Sequence, residues 1–185
     1  MQKETIKDIK KNDDILVNQS IHLMMEGFRD ISPCYCSSWD EAYSEVQECL
    51  DEERILRGWI DKNNKLIGLI GGIPQYRGNT WELHPLVVHK DYRNKGIGSL
   101  LVRDLENEVR RRGGYALYLG TDDEMGLTTL SGIDLYPDLW KHVLSIKNLK
   151  NHPYEFYLKN GFQIVGVIPD ANGPGKPDIL MAKRI

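Results

Sequence analysis

Apolar residues fall into two rhythms along the chain, and the change from one to the other organises it. Val17, Ile21, Met24 and Phe28 recur at helical spacing within Asp14 to Phe28, with Asp13 or Asp14 available as the cap. Ser38-Trp39-Asp40-Glu41 has the form of a capping box, after which Ala42, Val46, Cys49 and Leu50 mark the buried stripe of a second helix. Both helices precede any strong strand signal. From Arg54 the period shortens, so Arg54 to Ile60 and Leu66 to Ile73 read as an antiparallel pair joined by Asp61-Lys62-Asn63-Asn64-Lys65, a turn-forming cluster. Trp81 to Val88 predicts a third strand. It leads through a glycine loop into a helix with Ile97, Leu101, Leu105 and Val109 on one face, ended by Gly113-Gly114. Tyr115 to Leu119 completes a βαβ unit with two parallel strands. A polar loop from Gly120 to about Asp134, helical material through His142 to Tyr157, and strands near Phe162 to Ile168 and Ile179 to Ala182 follow. The order predicts an α/β fold, a mixed sheet with helices on both faces.

Composition narrows the function classes. At 185 residues, with 41% hydrophobic and 28% charged, one domain spanning residues 1–185 is expected. A formal charge of −3 argues against a general nucleic-acid or anionic-membrane surface and suits a cationic substrate better. Met1 to Lys11 is charged and holds no apolar stretch of secretory length, and no run approaches the ~20 apolar residues of a membrane span, so the cytoplasm is the expected location. Cys34, Cys36 and Cys49 give no disulfide framework. Cys34-x-Cys36 lacks a second Cys/His pair at ligand spacing, so two thiols in a loop is the plainer reading and no metal is expected.

The chemistry concentrates between Trp81 and Ser99. Arg93-Asn94-Lys95-Gly96-Ile97-Gly98-Ser99 sits between a strand and the helix it opens, where unpaired backbone N–H groups and the positive end of the helix converge. Gly96 and Gly98 let an anion approach the backbone, and Arg93 and Lys95 add neutralising charge. The spacing is neither a Walker loop nor a complete dinucleotide fingerprint. The alternative is a helix start that has two glycines and exposed basic residues. Pro85 lies within an apolar strand, where it cannot donate to a ladder and predicts a bulge or splay, or else a structural kink near a sheet edge. A thin ligand with amides of its own could pair with Leu86, Val87 and Val88 as a false strand, its phosphates led to the glycine loop. The pantetheine arm of coenzyme A has that shape.

Arg93-x-x-Gly96-x-Gly98 matches the [Q/R]-x-x-G-x-[G/A] signature of the GNAT acetyltransferases, and Tyr157-Leu158-Lys159-Asn160-Gly161-Phe162 resembles the Y-x-x-x-G-F element of that superfamily. A closer resemblance, to the aminoglycoside 6'-N-acetyltransferases, runs through Ile73-Pro74-Gln75-Tyr76, Trp81 to Val88, Tyr118 to Asp123, and His152 to Tyr157. It implies a GNAT fold with a central sheet splayed after the strand carrying Pro85, acetyl-CoA in the splay, and often a homodimer. By the same resemblance Leu86 and Val88 bind pantetheine amides, Arg93 to Ser99 hold the pyrophosphate, Glu82 takes the acceptor role and Tyr157 the leaving-group role. Enzymes of this group carry an acidic residue after the Gly-Thr-Asp-Asp run; here the loop reads Glu124-Met125-Gly126, a departure in which Glu124 is the acid available.

The chemistry fits these positions. An amine must lose a proton before it attacks a thioester, so the site needs a base and a stabiliser for the developing oxyanion. Glu82 and His84 share one face of a strand, within reach of one cleft, or are a solvated acid and a satisfied histidine. The Leu86 N–H is the candidate oxyanion donor. Tyr157 is the candidate proton donor to the thiolate, or a core residue before Gly161. Asp122, Asp123, Glu124 and Asp134 make an acidic loop at a strand's C-terminal end, where a cationic amine binds or where acids are merely solvated. Gln75 and Tyr76 complete the substrate set, with Trp39, Tyr76 and Trp81 as a possible stacking wall. The expected activity is acetyl transfer in a ternary complex to an aminoglycoside amine; a polyamine, peptide or metabolite acceptor, or a non-catalytic acyl-CoA-binding module, are the alternatives.

Overall fold

In the computed structural model, which describes residues 4–29, 32 and 35–185, the chain clusters into two compact units, Met1–Leu117 with Ile185, and Tyr118–Arg184. Cys34 of the Cys34-x-Cys36 pair lies outside the described residues.

The first unit holds β1 (Thr5–Asp8), α1 (Asp14–Phe28), α2 (Trp39–Cys49), β2 (Ile55–Ile60), β3 (Leu66–Gln75), β4 (Thr80–Val88) and α3 (Ile97–Arg111). Strands β1 to β4 pair antiparallel with their chain neighbours. Asp13 caps α1, its carboxylate accepting from the Leu16 N–H at 3.1 Å. The capping box of α2 is offset by one residue: Ser38 accepts from the Glu41 N–H, while the Glu41 carboxylate reaches back to the N–H and hydroxyl of Ser37.

Helices cover both faces of this sheet. Leu16, Ile21 and Met24 of α1 and Ala42 and Val46 of α2 form one core with Leu56, Leu69 and Val87. On the opposite face Ile97 and Leu101 of α3 lie over Gly68, and Leu105 over Gly72. Burial of these leucines and isoleucines supplies about 1.5–3 kcal/mol each of the driving force.

Strand β1 corrects the expectation that the two helices come before any strand. Thr5–Asp8 has no apolar alternation and a mostly exposed pattern; it is defined by pairing to β2. The Arg57 guanidinium anchors it, donating to Asp8 at 2.7 Å and to both carboxylate oxygens of Asp104 on α3 at 2.6 and 3.0 Å.

Strand β5 (Ala116–Asp122) runs across the unit boundary, and the second unit continues with α4 (Leu139–Leu144), α5 (Tyr154–Lys159), β6 (Gln163–Ile168) and β7 (Asp178–Arg184). Strand β7 lies between β5 and β6 and pairs antiparallel with β6. The helical stretch expected from His142 to Tyr157 is instead two short helices with a loop between them. That loop is held by backbone bonds: the Leu149 N–H donates to the Leu127 carbonyl at 2.8 Å and the Thr129 N–H to the Lys147 carbonyl at 3.1 Å. No helix among the described residues is long and apolar enough to cross a membrane.

Candidate active site

Strand β4 changes phase at Pro85, which follows a cis peptide bond. Ile70 pairs with Leu86 and Gly72 with Leu83, so Gly71 alone stands opposite His84 and Pro85. This is the bulge the proline predicts. Only glycine fits at position 71, because a Cβ there would run into the His84 carbonyl oxygen and the proline ring.

Two consequences follow for the strand. The His89 N–H donates to the Ile67 carbonyl at 2.9 Å, which puts 67/89 at a hydrogen-bonded position of the ladder. In an antiparallel ladder such pairs alternate, so Leu69/Val87 is the next one, and the N–H and C=O groups of Leu86 and Val88 point away from β3. Before the bulge the phase is reversed. Leu83 pairs with Gly72 on the α3 side, which turns Glu82 and His84 toward the side of α1 and α2. Val87 has its side chain in the α1 core and its backbone in the ladder, so it holds the strand.

Glu82 is half-buried. His84 Nε2 lies 3.0 Å from Glu45 Oε1 on α2 and 3.0 Å from the Tyr35 hydroxyl. The hydrogen bond from His84 holds the Glu45 carboxyl below its ordinary range, against the opposing effect of burial. Burial, with Glu45 beside it, pushes the Tyr35 phenol up. Burial likewise raises the Cys36 thiol to about 11 and the Cys49 thiol to about 12, so neither is a ready nucleophile. Glu45 and Tyr35 are absent from the sequence-based candidates because they lie 39 and 49 residues from His84. One signal was available: Glu45 is an acid bordering the apolar stripe of Ala42, Val46 and Cys49.

The glycine loop forms a helix mouth. Gly96 caps α3 in the left-handed region, φ 82°, and a Cβ there would meet nothing within 4 Å, so its backbone faces open space. The first intrahelical bond from this turn is the Leu100 N–H to the Gly96 carbonyl, 3.1 Å, and the N–H groups of Ile97, Gly98 and Ser99 precede it. Asn94 also has positive φ, 60°. Arg93 is turned inward: Nε donates to the Val88 carbonyl and a terminal nitrogen to the Gly27 carbonyl, each at 3.0 Å. The Lys95 ammonium donates to the Asp91 carbonyl at 2.8 Å and lies over the Tyr92 ring. Backbone N–H groups at a helix start, flanked by basic residues, suit the pyrophosphate of an acyl carrier, and the outward groups of Leu86 and Val88 suit its amides.

In the second unit the ring of Tyr157 packs edge-on to Phe156 and Phe162, with centroids at 5.1 and 5.7 Å, and burial raises its phenol. Asp122 is exposed; its carboxylate accepts from Asn172 and its carbonyl from His152 Nε2 at 3.0 Å. Asp123 is fully buried, and its carboxylate accepts from the Leu127 N–H, the Thr128 N–H and the Thr128 hydroxyl at 2.6, 2.8 and 2.7 Å. It organises the loop and is not directed at a ligand. Glu124 is half-buried and Asp134 exposed. In the first unit Gln75 is half-buried and Tyr76 is 77% exposed, whereas Trp81 is buried at 3% and is no part of a stacking wall. Trp39 instead stacks on Tyr43, centroids 5.0 Å apart. Among the described residues no group of three or more His, Cys, Asp or Glu side chains could hold a metal ion.

Known proteins resemble the chain in sequence and in fold. The Acetyltransferase (GNAT) family profile matches residues 24–128, a stretch that includes the bulged strand and the helix mouth. No curated protein matches the chain. Among solved structures, an aminoglycoside 6'-N-acetyltransferase complexed with coenzyme A is 47% identical over 97% of this chain and 96% of that one, with TM-score 0.89. The aminoglycoside 6'-N-acetyltransferase from Enterococcus faecium is 46% identical over the same shares, with TM-score 0.86. An aminoglycoside 6'-acetyltransferase type Ii is 39% identical, again over 97% and 96%, with TM-score 0.73. The family profile over more than half of the chain and the similarity over nearly its whole length agree, and the chain belongs to the GNAT acetyltransferase family.

Proposed function

We propose that the protein transfers the acetyl group of acetyl-CoA to the 6'-amine of an aminoglycoside, by direct transfer in a ternary complex. The observation that carries the reading is the outward backbone of Leu86 and Val88 leading to the N–H groups of Ile97, Gly98 and Ser99. The similarity to aminoglycoside 6'-N-acetyltransferases over nearly the whole chain supplies the acceptor class. Acetyl-CoA, when bound, supplies an activated thioester.

The residues divide the work. Leu86 and Val88 pair with the pantetheine amides; the loop from Arg93 through Asn94, Lys95, Gly96, Ile97 and Gly98 to Ser99 takes the pyrophosphate on its backbone, and Arg93 positions that loop. Glu82 removes the proton from the acceptor ammonium. The Leu86 N–H donates to the carbonyl oxygen as negative charge builds there. Tyr157, kept protonated by burial, gives its proton to the departing sulfur. Gln75, Tyr76, Asp122 and Glu124 contact the cationic sugar. Antibiotic resistance, a cytoplasmic setting and a homodimer belong to the same reading, the last checked by light scattering after gel filtration.

One observation favours a second acceptor class. Asp123, one of the acids expected against a cationic sugar, is taken up inside its own loop, so fewer acids remain for a polycation and a less charged peptide or small-metabolite amine is the alternative on the same donor site. The test is release of free thiol from acetyl-CoA with kanamycin-like amines, polyamines and peptides, read with product mass. Acetylated aminoglycoside is expected. Glu82→Gln is expected to retain acetyl-CoA binding while losing about 10²–10⁴-fold in kcat. Binding of acetyl-CoA with no acetylation of any amine sinks the reading and favours a binding module.

A further inference from the structure

His84 is set in an arrangement that fixes which of its nitrogens carries hydrogen. Nε2 faces two groups at once, Glu45 Oε1 and the Tyr35 hydroxyl, each at 3.0 Å. A carboxylate can only accept. An unprotonated Nε2 would therefore set a lone pair against a carboxylate oxygen at hydrogen-bond distance. The Tyr35 hydroxyl does not resolve that conflict, since a hydrogen it donated to Nε2 would leave the carboxylate oxygen facing the ring nitrogen with none between them. The contacts are satisfied when Nε2–H donates to the Glu45 carboxylate, with the Tyr35 hydroxyl oxygen able to accept from the same N–H.

We propose that Glu45 is a positioning residue that holds His84 as the Nε2–H tautomer, so that Nδ1 accepts the proton Glu82 removes from the amine. This rests on the acetyl-transfer reading, in which Glu82 is the base. Glu82 and His84 lie on the same face of β4, and the His84 side chain is 35% exposed, which gives the proton a way out to solvent. The balance is simple. One proton leaves the ammonium for Glu82, passes directly or through water to Nδ1, and leaves the imidazolium for bulk water. While the ring is charged, the carboxylate of Glu45 stabilises it. The titratable groups around the ring are Glu45 and Cys49 from α2, Tyr35 and Cys36 from the segment before it, and Glu82 on its own strand; burial holds the phenol and both thiols neutral. Glu45 is thus the charged neighbour from the helical side. Its part parallels the carboxylate that orients a catalytic imidazole in other enzymes.

The experiment is ¹⁵N NMR on protein labelled at histidine, with His84 assigned by loss of its signal in His84→Asn, alongside kcat and the KM for acetyl-CoA. The expected result is a His84 signal of the Nε2–H tautomer in the wild type and in Tyr35→Phe, where Glu45 still accepts. In Glu45→Gln the tautomer preference is lost. Rate at neutral pH falls about ten-fold with the KM for acetyl-CoA unchanged, a purely kcat effect that a structural contact would not produce. An Nδ1–H signal in the wild type overturns the proposal, and that measurement stands even if Glu45→Gln fails to fold. An unchanged kcat in folded Glu45→Gln overturns it as well. Full activity in Glu82→Gln is a different failure, since it removes the base assignment while the tautomer is still read independently.

Discussion

The loop at residues 93–99 in the first unit and the loop at residues 122–128 in the second each follow a strand, one basic and the other acidic. In each, the most buried charged side chain points into the protein. Arg93 bonds two carbonyls, of Val88 and Gly27, while Asp123 bonds two N–H groups and a hydroxyl, of Leu127 and Thr128. The consequences are opposite. A guanidinium satisfies acceptors and leaves the loop's own N–H groups for an anion; a carboxylate takes up N–H groups, here those of Leu127 and Thr128. The difference teaches that an inward charge selects what the backbone around it has left to offer.

Removing the two inward groups is the strongest way to break this contrast. Asp123→Ala strips three hydrogen bonds from a buried loop and is expected to lower stability by about 3–5 kcal/mol, read by urea or thermal unfolding. A loss under 1 kcal/mol would mean the acidic loop does not depend on its carboxylate. Arg93→Lys keeps the charge but cannot bridge two carbonyls from one planar group. It is expected to cost about 2 kcal/mol and to raise the KM for acetyl-CoA while leaving kcat nearly unchanged. Unchanged KM in that variant would show that the loop's shape does not need the bridge.

Acid sharpens the contrast further, because the loop at 122–128 has a titratable support and the loop at 93–99 is built from groups that stay charged. Buried His152 donates from Nε2 to the Asp122 carbonyl and accepts the Tyr154 N–H on Nδ1 at 3.1 Å, so it must be neutral. Burial lowers its pKa from the ordinary 6.5. The unfolded chain therefore takes up this proton first. The stabilisation is complete above pH 6.5 and is lost as pH falls from there through the folded value, with a slope of at most about 1.4 kcal/mol per pH unit. Unfolding followed between pH 7.5 and pH 5 is expected to show this slope in the wild type and less of it in His152→Asn. An equal slope in both would assign it elsewhere.

The fold was legible where burial imposes a period. Helices α1, α2 and α3 and strands β2, β3 and β4 follow from apolar spacing, and Pro85 announced its bulge. Strand β1 was not legible, because Thr5–Asp8 is created by pairing to β2 and by Arg57, both distant in sequence. The break between α4 and α5 was hidden for the same reason: the bonds of Leu149 and Lys147 to the loop at 127–129 override local helical propensity. At the site, the types of residue could be read but not their orientation. Arg93 and Asp123 look like ligand contacts in a sequence because charge is visible there and hydrogen-bond direction is not. Glu45 and Tyr35 meet His84 only through the fold.

The smallest predicted effect addresses the backbone side of the contrast most directly. Gly96 holds φ 82°, and a Cβ there would touch nothing within 4 Å, so Gly96→Ala carries only the conformational cost of the left-handed region, about 1 kcal/mol. Because no neighbour has to move, a folded Gly96→Ala protein keeps the N–H groups of Ile97, Gly98 and Ser99 at the helix start unless the residue leaves positive φ. Asparagine tolerates that region better, so Gly96→Asn is expected to lose less stability than alanine. Acetyl-CoA affinity in the two variants then decides the matter. If it tracks stability, weaker in alanine than in asparagine, the left-handed cap is what aims the backbone. If both lose affinity equally with little change in stability, the new Cβ itself blocks the anion, and the open space beside Gly96 is part of the binding surface.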